Sequence, residues 1–175
     1  LIQTLMKHYL HHSFRALFLF LAVLLSLPML AVEVEIDGIN YELNSETKQD
    51  TVIAKSSGKY SGNIVVPKSI EFRDTANVSV TNFSVTSIGE RAFYACGALS
   101  SVAIGNGVTS IGNDAFFGCS NLTSVTIGNV VRSIGSKAFY ECASLASITI
   151  PKSVVSIGDE AFYACNGLSS VHISD

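Results

Sequence analysis

The chain has 175 residues, of which 48% are hydrophobic, and its formal net charge at pH 7 is −3. This length suits one domain of ordinary size. Beyond residue 31 the chain carries nine basic and fourteen acidic residues and has no Lys/Arg cluster. The mildly acidic balance argues against nucleic acid as a partner and against docking on anionic lipid, because both need a basic face.

The segment 1–31 has the pattern of a secretory signal peptide. Lys7 and Arg15 precede an almost purely apolar stretch over 16–27, and Ala31 offers a small residue for cleavage. The stretch is shorter than the roughly 20 residues that a membrane-spanning helix needs. We therefore predict a signal peptide over 1–31 and no membrane span after its cleavage, with a retained anchor as the alternative.

The next segment predicts an N-terminal cap. Residues alternate between apolar and polar over 32–36 and 39–43 and flank Asp37-Gly38, and Asp-Gly between alternating strands is a strong hairpin signal. Repeat arrays need such a cap because it shields their terminal core. Further on, Ile64-Val65-Val66-Pro67 has the composition of a first repeat strand. We expect a β-rich cap and an atypical first repeat over 32–84.

From Val85 to Asp175 the sequence divides into four near-identical units, which span 85–107, 108–130, 131–153 and 154–175. Four sets of identical residues recur every 23 positions: Ile88, Ile111, Ile134 and Ile157; Gly89, Gly112, Gly135 and Gly158; Phe93, Phe116, Phe139 and Phe162; and Leu99, Leu122, Leu145 and Leu168. A unit of this size cannot bury its own apolar face. Stacking of the units must therefore supply one continuous core.

Each unit predicts a strand and a turn region. The segment Ser124-Val125-Thr126-Ile127 alternates polar and apolar side chains, which indicates a short half-buried strand. Equivalent strands should pair in parallel about 4.8 Å apart along the array. The segment 114–119 lacks β-branched residues, and it predicts a single helical turn on the opposite side.

The combined motif L-x-x-V-x-I…V-x-S-I-G-x-x-A-F-x-x-C resembles the BspA-like leucine-rich repeat over Val85 to Asp175. The resemblance implies an α/β repeat solenoid. This would be a right-handed leucine-rich-repeat superhelix with a short parallel sheet on its concave face, short helical turns on the other face and the β-hairpin as its N-terminal cap. It also implies export, a role at cell surfaces in contact with host or neighbouring cells, and no catalysis.

The fourth unit is not followed by a recognisable C-terminal cap. Four repeats with an open apolar end would be prone to associate. We therefore expect the array over 85–175 to be truncated and to continue in a longer chain, with a complete four-repeat array as the alternative.

Four cysteines occupy one position of the repeat: Cys96, Cys119, Cys142 and Cys165. Cysteines in an exported protein usually indicate disulfides. Stacked neighbours would have parallel Cβ directions, however, whereas a disulfide needs Cβ atoms about 3.8 Å apart. Free buried thiols are favoured, and disulfides are the alternative. Thiolates on one line cannot surround a tetrahedral zinc ion, so we expect no metal site.

The sequence lacks the paired groups that catalysis needs. His172 is the only histidine beyond residue 31, and its place between Val171 and Ile173 puts it on the outward face of a strand. The carboxylates are scattered, and neither a phosphate-binding glycine loop nor a calcium loop is present. We expect a non-catalytic protein without cofactors. An enzyme would require a catalytic domain beyond Asp175.

Two surface features are candidates for partner binding. The outward strand positions predict a flat, uncharged concave face made of Ser101, Ala103, Ser124, Thr126, Ser147, Thr149, Ser170 and His172. Small hydroxyl side chains also suit any exposed strand, and the two interpretations stay open. An aromatic stripe follows the core phenylalanines at Tyr94, Phe117, Tyr140 and Tyr163. This stripe could recognise a partner, but a half-buried stack between coils is favoured.

These observations lead to two hypotheses on function. The first is a secreted or cell-surface protein, outer-membrane-associated if bacterial, that mediates adhesion. Its partners would be protein or glycoprotein ligands of the host matrix, mucin or neighbouring cells. The second is a non-adhesive structural scaffold of the cell envelope. It is favoured by a face that offers few of the Arg, Trp or Tyr anchors of tight interfaces.

Overall fold

The computed structural model describes residues 32–44, 47–55, 58–73 and 80–174. The predicted signal peptide over 1–31 lies outside these residues. The regular elements of the described part are thirteen β-strands: β1 (Val32–Ile36), β2 (Ile39–Asn44), β3 (Gln49–Ile53), β4 (Gly62–Val66), β5 (Ser69–Arg73), β6 (Val80–Ile88), β7 (Leu99–Ile104), β8 (Ser110–Ile111), β9 (Ser124–Thr126), β10 (Ser133–Ile134), β11 (Ser147–Ile150), β12 (Ser156–Ile157) and β13 (Ser170–Ile173).

The repeats build two parallel strand arrays, which we call the long-strand array and the short-strand array. In the long-strand array β7 pairs with β4 and β9, and β11 pairs with β13. Strands β9 and β11 lie beside each other without a shared ladder. The short-strand array joins β6, β8, β10 and β12 in parallel, and its register partners occupy equivalent positions of successive coils. The predicted parallel strands are confirmed. The short-strand array was not predicted, because a strand of two residues is too short to show the alternation of polar and apolar side chains.

The cap continues the short-strand array. Strands β1 and β2 form the predicted antiparallel hairpin, whose turn places Asp37 and Gly38 at φ angles of 50° and 78°. These positive angles are the ones that a two-residue hairpin turn requires, and Asp-Gly adopts them readily. Strand β3 then pairs antiparallel with β2 and parallel with β6. Tyr60 closes the end of the core, since its ring lies 4.7 Å from that of Phe93.

The core is a stack of identical side chains contributed by successive coils. Phe93, Phe116 and Phe139 are fully buried, and their ring centroids are 4.8 and 5.0 Å apart with planes 3° from parallel. Leu99, Leu122 and Leu145 form a second buried row in the same way, and so do Ile88, Ile111 and Ile134 of the short-strand array, whereas Ile157 of the last coil is 49% exposed. Stacking like on like fills the interior because each coil repeats the shape of the coil before it.

The third side of each coil is a series of tight turns where helical turns were predicted. Arg91 and Ala95 have φ angles of 56° and 54°, which belong to the left-handed region and interrupt a right-handed helix. Phe93 N donates to Ala115 O of the next coil at 2.7 Å, so this hydrogen bond runs between coils. The described residues contain no helix, so the predicted helical turns are not confirmed. Alternate amides of this segment bond to the next coil instead of closing a helical turn.

The cysteines line the core as free thiols, as favoured from the sequence. Each of the last three thiols donates to the carbonyl oxygen of the core phenylalanine one coil earlier. Cys119 Sγ lies 3.1 Å from Phe93 O, and Cys142 Sγ lies 3.2 Å from Phe116 O. Burial raises the pKa of Cys119 to about 12, which keeps its thiol protonated and able to donate. The cysteine row therefore links neighbouring coils through S–H···O contacts.

Candidate functional site

The outward side chains of the long-strand array form one surface, which we call the strand face. Register pairs arrange them in two rows. Ser101 stands beside Ser124 and Ala103 beside Thr126, and likewise Ser147 stands beside Ser170 and Thr149 beside His172. Five of the eight predicted residues are exposed, and Ser101, Ala103 and Ser170 are half-buried. The structure thus places all eight on the outward side of the same array.

Strand β4 extends both rows by two residues that the sequence analysis did not include. Asn63 stands beside Ser101, and its Oδ1 atom accepts a hydrogen bond of 2.7 Å from Ser101 Oγ. Val65 stands beside Ala103, and 68% of it is exposed. The strand itself was recognised from its composition. Its register was hidden because the long connection between Val66 and Val85 breaks the regular spacing of the repeats.

The strand face is uncharged and changes character along the array. It is apolar at Val65 and Ala103, carries hydroxyl groups in the middle, and ends with the imidazole of His172. Such a surface can accept and donate hydrogen bonds to a neutral polar partner. Among the residues that the structure describes, no group of three or more His, Cys, Asp or Glu side chains could hold a metal ion.

The aromatic stripe is a continuous stack of rings. Phe117 lies between Tyr94 at 5.0 Å and Tyr140 at 4.7 Å, and Tyr140 lies 5.0 Å from Tyr163. The first three rings are half-buried, and Tyr163 is 58% exposed. Neighbouring rings cover one another's faces, so mostly ring edges reach the surface. The geometry is that of the stack between coils favoured from the sequence, and a role of the stripe in recognition stays a prediction.

Cationic side chains border the aromatic stripe. Arg91 lies over the ring of Tyr94 at 5.5 Å, and Lys137 lies over that of Tyr140 at 5.8 Å. Each cation also contacts a carboxylate of the next coil, Arg91 with Asp114 at 3.3 Å and Lys137 with Glu160 at 3.4 Å. Exposed ion pairs of this kind contribute little to stability. They do neutralise the charges of Arg91 and Lys137, whereas Lys59, 5.7 Å over the ring of Tyr94, donates to the backbone oxygen of Tyr94 at 2.6 Å.

Asp50 is a buried titratable group that the sequence analysis did not single out. It lies in β3 and is 1% exposed, because alternation along this strand turns it inward with Val52. Burial raises its pKa to about 6, while a backbone hydrogen bond from Asn44 acts in the opposite direction. The carboxylate stands beside Leu43 and Val85 in the ladder register. Asp50 therefore affects the stability of the cap, and it does not reach the strand face.

A shallow polar hollow lies on the outer surface of the cap. Its volume is about 370 Å³, and its lining is formed by Glu42, Asn44, Thr47, Gln49, Thr51, Thr86 and Ser87. Within it the hydroxyl oxygens of Thr51 and Ser87 are 2.7 Å apart and hydrogen-bonded. The hollow is open and its surface is more polar than apolar, unlike the concave, mostly apolar pockets that enclose small ligands. It is a weaker candidate than the strand face.

The sequence that forms the repeated strands, the turns and the stacked phenylalanines matches a known family. The family model of the BspA type leucine rich repeat region matches residues 68–175 in six copies. The chain belongs to the BspA-type leucine-rich repeat proteins. The resemblance stated from the motif is thereby confirmed, and so is the repeat fold with parallel strands. Leucine-rich repeats of this type are generally non-catalytic, and family membership is consistent with a role in protein binding.

Solved structures of bacterial leucine-rich repeat proteins share the fold. A protein from Bacteroides capillosus ATCC 29799 is 28% identical with a TM-score of 0.69, covering 82% of this chain and 99% of that one. The leucine-rich repeat protein of T. pallidum is 25% identical with a TM-score of 0.60, covering 80% of this chain and 71% of that one. A leucine rich cell surface protein from Faecalibacterium prausnitzii A2-165 is 24% identical with a TM-score of 0.60, covering 83% and 44%, and shows the fold alone. No curated protein matches the chain significantly.

The described part of the chain contains no helix long and apolar enough to cross a membrane.

Proposed function

We propose that this protein is an exported surface protein that binds protein or glycoprotein ligands through its strand face and catalyses no reaction. The observation that carries the proposal is the strand face itself. Its uncharged side chains are aligned on two hydrogen-bonded groups of strands that lie side by side, and they take no part in the core. A rigid array costs little ordering entropy on binding, which favours recognition by many weak polar contacts. The ligands would belong to the host matrix, to mucin or to neighbouring cells.

The organisation proposed from the sequence fits this role. Residues 1–31 would direct export, 32–84 would cap the array, and 85–175 would present the strand face. The protein would then be secreted or held at the cell surface, in association with the outer membrane if the cell is Gram-negative. Family membership supports a surface location.

A structural scaffold of the cell envelope is the second candidate. The observation that favours it is the small size of the side chains on the strand face, where His172 is the largest. Tight interfaces usually rely on buried Trp, Tyr or Arg anchors, and this face offers none. An adhesin built on it would bind weakly per repeat and would gain strength from many copies.

The two candidates differ in where the repeats lie and in what they bind. Protease treatment of intact cells should remove 85–175 if the repeats are exposed, after which purified protein can be tested against immobilised matrix proteins and mucin. Thr126→Arg and Thr149→Arg should reduce binding about tenfold, because each places a long charged side chain on the strand face. The matched control is Ser144→Arg, an equal insertion at an exposed turn residue away from that face. Protection of the repeats on intact cells, with digestion only after lysis, would exclude the adhesin.

A further inference from the structure

The cap continues one of the two strand arrays and leaves the other uncovered. Strands β3, β2 and β1 extend the short-strand array beyond β6. In the long-strand array, β4 has β7 on one side and, among the residues that the structure describes, no strand on the other. Tyr60 covers the phenylalanine stack at this end but contributes no backbone to β4. The outer edge of β4 is therefore a sheet edge without a described cover.

The backbone of β4 presents hydrogen-bonding groups along this edge. Gly62 N donates to Ala98 O at 2.9 Å, and Val66 O accepts from Gly105 N at 2.8 Å. Alternate residues of a strand bond to the same neighbour, so the even-numbered residues of β4 face β7. The N–H and C=O groups of Asn63 and Val65 point to the opposite edge. The partner that matches this spacing of donors and acceptors is another extended backbone.

The side chains at the edge also lack cover. Ile64 is only partly buried, whereas its register partner Val102 is 2% exposed and Val125 of the next strand is 7% exposed. Val65 presents its apolar side chain on the strand face beside the same edge. Natural edge strands commonly carry charged side chains that prevent pairing, and β4 has none. An added strand would bury the flank of Ile64 and part of Val65.

We propose that β4 accepts an extended segment of a partner protein as an added strand. The partner segment would alternate, with apolar side chains beside Ile64 and small or hydroxyl-bearing side chains beside Asn63 and Val65. This chemistry follows from β7 and β9, which pair in register with the same alternation. The proposal rests on the protein-binding function proposed above and names the kind of ligand and the mode of binding.

A peptide with the sequence of residues 122–127, LTSVTI, is a direct probe because it has this alternation. Its binding to the full chain can be followed by fluorescence anisotropy, with a peptide carrying Pro in place of its valine as the control. Val65→Pro removes an N–H of the outer edge without removing a bond to β7, and should weaken binding at least about tenfold. Ser144→Arg, at an exposed turn residue away from the strand face, is the control and should leave the affinity nearly unchanged.

Hydrogen exchange on the unmodified chain gives a readout that no substitution can disturb. The amides of Asn63 and Val65 should become protected when the peptide is added. Unchanged exchange at both amides, or equal binding by the Val65→Pro variant, would overturn the proposal. Weakening by Thr126→Arg equal to that by Val65→Pro would assign the peptide to the strand face instead and would also overturn the proposal.

The chain could instead dimerise as its concentration is raised, with the dimer lost in the Val65→Pro variant. That result would mean that a second copy occupies the edge of β4, and it would overturn the assignment to a different partner. Failure of the unmodified chain to bind the peptide, while its matrix or mucin binding still depends on Thr126 and Thr149, would refute this inference and leave the proposed function standing.

Discussion

Replacing Phe116 with alanine tests whether the stacked phenylalanines hold the repeats together. The ring is fully buried between Phe93 at 4.8 Å and Phe139 at 5.0 Å. Both neighbours belong to adjacent coils whose backbones are hydrogen-bonded, so they cannot collapse freely into the space left behind. Truncating a buried phenylalanine costs about 3–5 kcal/mol, from lost transfer free energy plus the cavity. We expect Phe116→Ala at the upper half of that range, because two ring contacts are lost as well.

Urea unfolding followed by circular dichroism would measure this loss, and the chain offers two matched controls. Phe117→Ala removes the adjacent ring, which is half-buried, and should cost roughly 1–2 kcal/mol. Phe162→Ala removes a partly buried core ring that contacts Phe139 at 5.4 Å and should fall between the two. Equal losses for Phe116→Ala and Phe117→Ala would refute the reasoning, since burial of the ring would then have no influence.

Two further predictions concern the buried titratable groups. Burial raises the pKa of Asp50 from 3.8 to about 6. Its folded-state pKa therefore lies above the unfolded value, and stability should fall as pH rises from about 4 to about 6 and then level off. Asp50→Asn should flatten this profile in thermal melts, and a profile unchanged by the substitution would show that the carboxyl is solvated. The four cysteines should resist alkylation in the folded chain and react completely after denaturation. The reason is that all four are buried and that burial raises the pKa of each thiol. Fewer than four reactive thiols in denatured, unreduced protein would indicate a disulfide.

The sequence predicted the features that depend on periodicity. The long strands, the stacked core and the free cysteines all follow from residues that recur every 23 positions. The cap hairpin followed from Asp37-Gly38, whose turn geometry is encoded locally. Each of these features depends on which residue types stand at a fixed spacing, and that spacing can be seen in a single sequence.

The predicted helical turns are not confirmed, because helix propensity and hydrogen bonding between coils compete in the turn region. The residues of 114–119 suit a helix, yet Asp114 and Gly118 adopt φ angles of 52° and 69°. Their amides donate to Ser136 O and Tyr140 O of the next coil, at 3.0 and 2.8 Å. A bond to the neighbouring coil satisfies the backbone as well as a helical bond would, and it also joins two coils. Local propensity alone does not reveal that choice, because the partner lies in the next coil and far from this segment in the sequence.

The four units of this chain can be compared position by position. Some positions are constrained by contacts between coils, whereas others are not and are available for recognition. Polar side chains at several repeated positions are used between coils: Thr109 Oγ1 donates to Thr86 O at 3.1 Å, and Thr123 Oγ1 donates to Ser100 O at 3.1 Å. The phenylalanine and cysteine positions are identical in all four units because each must match its neighbour in the stack.

The outer row of the strand face behaves differently. It reads alanine, threonine, threonine and histidine in the four units, at Ala103, Thr126, Thr149 and His172, and β4 adds Val65 to it. These side chains point away from the core, so the stack does not dictate their identity. Because the fold leaves this position free, its side chains can be fitted to a ligand without disturbing the stack. If binding is found, substitutions in this row should therefore alter ligand preference more than substitutions in the neighbouring serine row, where every unit carries the same small hydroxyl group.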